Sequence, residues 1–158
     1  MEKFWIGLLV GVVVGAGLLV LIVFINAPKK FFKTWKSPHN FEQTLQRIEQ
    51  ETKNAKWSIP NQYNLQKTME KHGFEVRPVY VFSVCKPQHA YRLLSKDNER
   101  QVAAMMPCRL AVYEKSDGST YVTMMNSPTM SKLMGGLPKE VMADAATENI
   151  AIIEKALK

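Results

Sequence analysis

The sequence predicts a small α+β domain, a short antiparallel sheet with helices packed on one face, preceded by one N-terminal transmembrane helix. Three observations predict it. Phe4 to Ile25 is an unbroken apolar run of 22 residues without charge or proline. Residues 76–85, 108–114 and 121–125 carry β-branched, aromatic and sulfur side chains in runs of strand length. The segments after Asn40 and after Pro138 instead repeat apolar residues at helical spacing.

The apolar run comes first. At about 1.5 Å per residue it spans roughly 30 Å, the thickness of a hydrocarbon core. Only a helix satisfies all its own backbone groups in lipid, so the run reads as one span. It is longer than the apolar core of a signal peptide, and Pro28 would follow a cut near Ala27. The anchor is therefore expected to be retained as residues 1–26. Gly7, Gly11 and Gly15 fall on one helix face, a small-xxx-small stripe suited to close packing with the same or another membrane subunit.

Residues 27–39 read as a basic juxtamembrane linker. Lys29, Lys30, Lys33 and Lys36 are interleaved with Phe31, Phe32 and Trp35, the pattern of a headgroup belt with snorkelling lysines. The formal charge is +7, of which residues 37–158 carry only +3. The basicity is thus local and fits anionic lipid headgroups rather than nucleic acid. By the positive-inside rule the four lysines after the span place the domain in the cytoplasm. A short N-terminus kept inside gives the periplasmic or extracellular alternative.

Residues 40–158 hold the domain. Asn40 with Gln43 forms a capping-box pattern, and Phe41, Leu45 and Ile48 make the apolar face of a helix fading near Asn54. Trp57 to Pro60 reads as an edge strand ending at the proline. Leu65 to His72 reads as a short helix, Leu65 and Met69 inward, stopped by Gly73. Val76 to Cys85 is a strand with both faces partly covered. Pro87 suits the first turn of a helix running to about Ser95. Lys96 to Arg100 reads as a polar loop. Cys108 to Glu114 is a strand with Cys108, Leu110 and Val112 on one face, and Ser116-Asp117-Gly118-Ser119 turns it into the antiparallel strand Tyr121 to Met125. A short helix is expected from Ser127 to the break at Gly135-Gly136. Pro138 opens the last helix, with Met142, Ala146, Ile150, Ile153 and Leu157 as its stripe.

The stretches NFEQTLQRIEQE, VCKPQHAYRLL and MMPCRLAVYEKSDGSTYVTMMN resemble the domain-of-unknown-function 302 family, specifically members with an N-terminal membrane anchor. The resemblance covers nearly all of residues 40–158. It implies a compact α+β domain that tends to dimerise, and it implies no activity or catalytic residue.

Cys85 and Cys108 are the best site candidates. Cys85 precedes the Pro87 helix, whose N-terminus favours a thiolate and would lower its pKa. If the two strands pair antiparallel, the thiols approach; if parallel, they lie at opposite ends. Met105 and Met106 precede Cys108, Met124 and Met125 sit on the returning strand, and His89 follows Cys85 by four residues. Thiolate and thioether suit Cu(I), so Cys85, Cys108, Met105, Met106 and His89 form the candidate metal set. The competing reading is that the cysteines are buried small hydrophobes and the methionines gap-fillers. Arg109 adjoins Cys108 but points to the other strand face.

Enzyme chemistry lacks a motif. Ser83, Ser127 and Ser131 have no GxSxG around them, and no phosphate loop or HExxH occurs. The expectation is a non-enzymatic, single-pass membrane protein whose domain is an accessory or binding module, within an oligomer or larger complex. A thiol or soft-metal (Cu(I)) binding site, or a redox site, built on Cys85 and Cys108 is the alternative.

Overall fold

The fold is taken from a computed structural model that describes residues 2–127, 131 and 134–158. The chain divides into two units, Met1–Phe31 and Phe32–Lys158.

The first unit is a single helix, α1 (Glu2–Phe31). It contains the whole apolar run and continues through the first half of the expected linker. Phe4, Trp5, Ile6, Val12 to Val14 and Leu18 are exposed along it. The side chains of residues 2–3, 8–10, 19 and 22–30 lie outside the described residues. Among the described residues, no helix is long and apolar enough to cross a membrane.

The second unit is a five-stranded antiparallel sheet with helices against it. The strands are β1 (Phe32–Lys36), β2 (Ser58–Asn64), β3 (Val79–Cys85), β4 (Cys108–Glu114) and β5 (Thr120–Met125), in the order β1-β5-β4-β3-β2. The helices are α2 (Phe41–Asn54), α3 (Leu65–Glu70), α4 (Pro87–Leu94) and α5 (Gly136–Ala156), with a 3-10 segment at Asp97–Met105. Register puts Phe82, Leu110 and Met124 in one row and Tyr80, Val112, Val122 and Trp35 in the next. Both rows lie on one face, where Phe41 and Ile48 of α2 and Ile152 and Ile153 of α5 complete the core. Paired residues share a sheet face, so the strand alternation itself selects these rows.

Asn40 caps α2 as expected, its side chain accepting from the Gln43 amide at 2.9 Å. Inside the helix Thr44 is fully buried and answers its hydroxyl twice, with the Asn40 carbonyl and with Ser37 Oγ, each at 2.7 Å. The Arg47 guanidinium donates to the Ala156 carbonyl at 2.6 Å, tying α2 to the end of α5. Pro87 opens α4, and Gly118 takes φ +76° in the β4–β5 turn, where a side chain would be strained.

Several expectations are corrected. The linker is not free chain: Phe32–Lys36 is an edge strand paired with β5, and Thr34 Oγ1 meets Thr123 Oγ1 at 2.9 Å. Trp35, expected at headgroup level, packs against the core, with Lys33 lying over its ring at 5.0 Å. β2 does not stop at Pro60; it passes through the proline by a register shift between Ser58 and Asn61 and continues to Asn64. α3 buries no residue, and Leu65 is exposed. The expected polar loop at Lys96–Arg100 belongs to the 3-10 segment, whose Val102 closes a second cluster with Leu93 and Val141. α5 begins two residues before Pro138, and its buried face is Val141, Ala145, Asn149, Ile152 and Ala156, with Ala146 and Ile153 from the expected stripe. The helix expected after Ser127 lies largely outside the described residues.

Candidate functional site

The register that builds the core also brings the two cysteines to the same end of the sheet. β3 and β4 pair antiparallel, and Val84 faces Cys108. Cys85, the next residue, ends β3 at the same end of the sheet. Both thiols are free and half-buried. Alternation sends Cys108 to the core face with Val84 and Leu110, and Cys85 to the other face. Both nevertheless line one cavity of about 230 Å³ that wraps this end of the sheet.

The cavity is built from four segments: the strand ends, α4, the 3-10 segment with Met-Pro-Cys-Arg, and α5. Its wall is rich in sulfur. Met105, Met106, Met124, Met125 and Met142 join the two cysteines there, as does the His89 ring. The structure thus brings together all five residues of the candidate metal set. Among the described residues, no group of three or more His, Cys, Asp or Glu side chains is placed to hold a metal. A copper ion would therefore need thioether ligands beside the two thiols.

A charged cluster stands at one side of the cavity, and Glu148 of α5 is its centre. One carboxylate oxygen accepts from Trp57 Nε1 at 2.8 Å and from Lys86 Nζ at 2.5 Å. The other bonds His89 Nε2 at 2.9 Å. Burial pushes this carboxyl up, but the hydrogen bonds from Lys86, Trp57 and His89, with the Lys86 charge, outweigh it and hold the pKa down at about 2. The His89 ring also packs tilted against Trp57, centroids 5.9 Å apart. His89 is accordingly a half-buried member of this cluster, and Glu148 occupies one of its two ring nitrogens. Below it, the Arg92 guanidinium bridges α4 to Asp144 and Glu140 of α5.

The Cys85 thiol shifts opposite to the sequence expectation. Burial raises the Cys85 pKa. Burial also raises Cys108, with the neighbouring Cys85 adding to it; a backbone hydrogen bond and the Asn149 amide act the other way. Asn149 is fully buried on α5, and its Nδ2 donates to the Ala145 carbonyl at 2.9 Å. Neither thiol is primed as a nucleophile at neutral pH.

Arg109 is exposed on β4 and pairs with Ser83 on the face away from the core, as alternation requires. At the strand end it still lines the cavity. Sequence reasoning missed Glu148, Trp57 and Lys86 altogether. Their only signal is Trp57 beside an edge strand, and nothing in α5 marks Glu148 from its neighbouring acids.

A five-stranded antiparallel sheet with helices against it, and two half-buried thiols in a methionine-walled cavity at its end, define a small α+β domain with a pocket. Residues 33–158 match the family described as Domain of unknown function DUF302, and the chain belongs to that family. It is similar in fold to the uncharacterized conserved protein DUF302 from Bacillus stearothermophilus, known from a crystal structure. The two are 24% identical with a TM-score of 0.72, over 80% of this chain and 98% of that one. No curated protein matches the chain.

Proposed function

We propose that the chain is a single-pass membrane protein whose α+β domain is a non-enzymatic accessory and binding module, with the sulfur-walled cavity as its ligand site. The observation that carries the binding role is the cavity itself. It is larger than an engineered apolar cavity of about 150 Å³ that takes up benzene. Its wall is mostly apolar, with a few polar groups at one side, the usual make-up of a small-molecule site.

The tether rests on the run Phe4–Ile25, with Lys29 and Lys30 at its exit toward lipid headgroups and the domain on the cytoplasmic side. Assembly with a second membrane helix rests on Gly7, Gly11 and Gly15, spaced every four residues along one face of α1. Carbonate washing of vesicles tests the tether: the full chain stays with the lipid, and its release refutes a span. Calorimetric titration with 1-octanol tests the cavity, using the full chain in phosphatidylcholine discs with empty discs subtracted. Binding is expected, and Ala90→Trp, which fills the α4 wall, removes it. Equal heats from both proteins refute a ligand cavity.

The convergence of Cys85, Cys108, Met105 and Met106 on that cavity favours a second reading, a Cu(I) site. It predicts that the chain withdraws Cu(I) from bicinchoninate and that Cys85→Ser and Cys108→Ser each abolish this. Unchanged competition in either variant removes the reading.

A further inference from the structure

We infer that the cavity takes a single-chain carboxylic acid of medium length, its chain among the methionines and its carboxylate on Arg109. This rests on the ligand-cavity reading above and adds the chemical class of the ligand.

The argument starts from charge. Among the described residues, the cavity wall contains no aspartate or glutamate, but it contains two cations, Lys86 and Arg109. Lys86 is already neutralised by Glu148 at 2.5 Å. Arg109 has no hydrogen bond or ion pair among the described residues. It is exposed and lines the same cavity as the exposed Met105 and Met125. An exposed guanidinium without a partner on the wall of a largely apolar pocket offers two parallel donors to a carboxylate. The cavity wraps the strand end, and the rest of its wall is thioether and alkyl: Met106, Met124, Val84 and Leu93. Such a surface is deformable and dispersive, suited to a flexible alkyl chain more than to a rigid ring. The ligand that satisfies both ends is an amphiphile, acid outward and chain inward.

Volume sets the length. A methylene fills about the space of a water, roughly 30 Å³, so 230 Å³ holds a chain of about eight carbons. A bilayer lipid, with two chains of twice that length, does not fit. The ligand of matching size is therefore a free single-chain acid.

The experiment titrates octanoate and 1-octanol separately into the full chain in phosphatidylcholine discs, with empty discs subtracted. Octanoate is expected to bind about tenfold more tightly than octanol, the size of a charge-assisted hydrogen bond. Arg109→Gln should erase that preference while octanol affinity stays as it was, and Arg109→Lys should restore part of it. Because Arg109 is exposed, neither change disturbs the core. Octanol binding as tightly as octanoate overturns the acid but leaves the cavity reading standing. An Arg109→Gln variant that weakens both ligands equally overturns it as well. If neither ligand binds, the acid and the cavity reading fall together.

Discussion

Replacing Glu148 by glutamine tests how the cavity wall is held. The carboxylate answers three donors on two other elements, Trp57 Nε1, Lys86 Nζ and His89 Nε2, and so joins α5 to the start of β2 and to α4. Its pKa falls from 4.5 to about 2. In a dry site that depression is worth about 3 kcal/mol. The side chain is 35% exposed, so solvent screening reduces the figure to about 1–2 kcal/mol. The folded carboxyl is more acidic than the unfolded one. Its contribution is therefore complete above about pH 5 and drains away as the pH falls toward 2. Urea unfolding of the full chain in mild detergent, followed by tryptophan emission, measures this at pH 6 and pH 2.5. Wild type should exceed Glu148→Gln by about 1–2 kcal/mol at pH 6 and by little at pH 2.5. A gap of the same size at both pH values would show that the charge on Glu148 stabilises nothing.

Other outcomes rest on the same packing. Ile153→Ala, at a fully buried site between α5 and the sheet, should cost about 2–5 kcal/mol in the same unfolding assay, and a loss below about 1 kcal/mol would mean that the site is not core. Asn40→Ala removes the acceptor for the Gln43 amide and should cost about 1 kcal/mol, whereas Asn40→Asp should be nearly neutral. Burial raises both thiols above their ordinary value of 9.0, so each is protonated at neutral pH. Iodoacetamide labelling should keep accelerating beyond pH 9 at each cysteine; a plateau below pH 8 would contradict that direction.

Much of the domain is written locally. Asn40 with Gln43, Pro87 before an apolar-faced turn, and the Asp117-Gly118 turn between two alternating runs each use chemistry that acts within a few residues. Those elements are where the sequence places them. The features that sequence reading misses are decided far away along the chain. Phe32–Lys36 has the lysine and aromatic alternation of a headgroup belt, and only pairing with β5, about 90 residues later, makes it a strand. The phase of α5 is ambiguous because Ile152 and Ile153 allow two neighbouring faces, and a buried Asn149 is invisible to hydropathy. The candidate site divides the same way. Its sulfur atoms stand out as residue types, and antiparallel pairing of β3 with β4 brings them together. The Cys85 pKa direction is misread because the helix N-terminus is visible in sequence and the burial of the thiol is not. Glu148 finds its three partners only through tertiary packing.

The proline inside β2 has a consequence for solubility. β2 borders the sheet, and its outer side offers main-chain donors and acceptors to any other extended segment. Pro60 lacks an amide hydrogen, and the shift in register beside it throws Ser58 and Ile59 out of line with the rest of the strand. Only Asn61 to Asn64 remain in regular order. Two copies meeting along this border thus find only about four residues in regular order before the kink, a short template for edge-to-edge pairing.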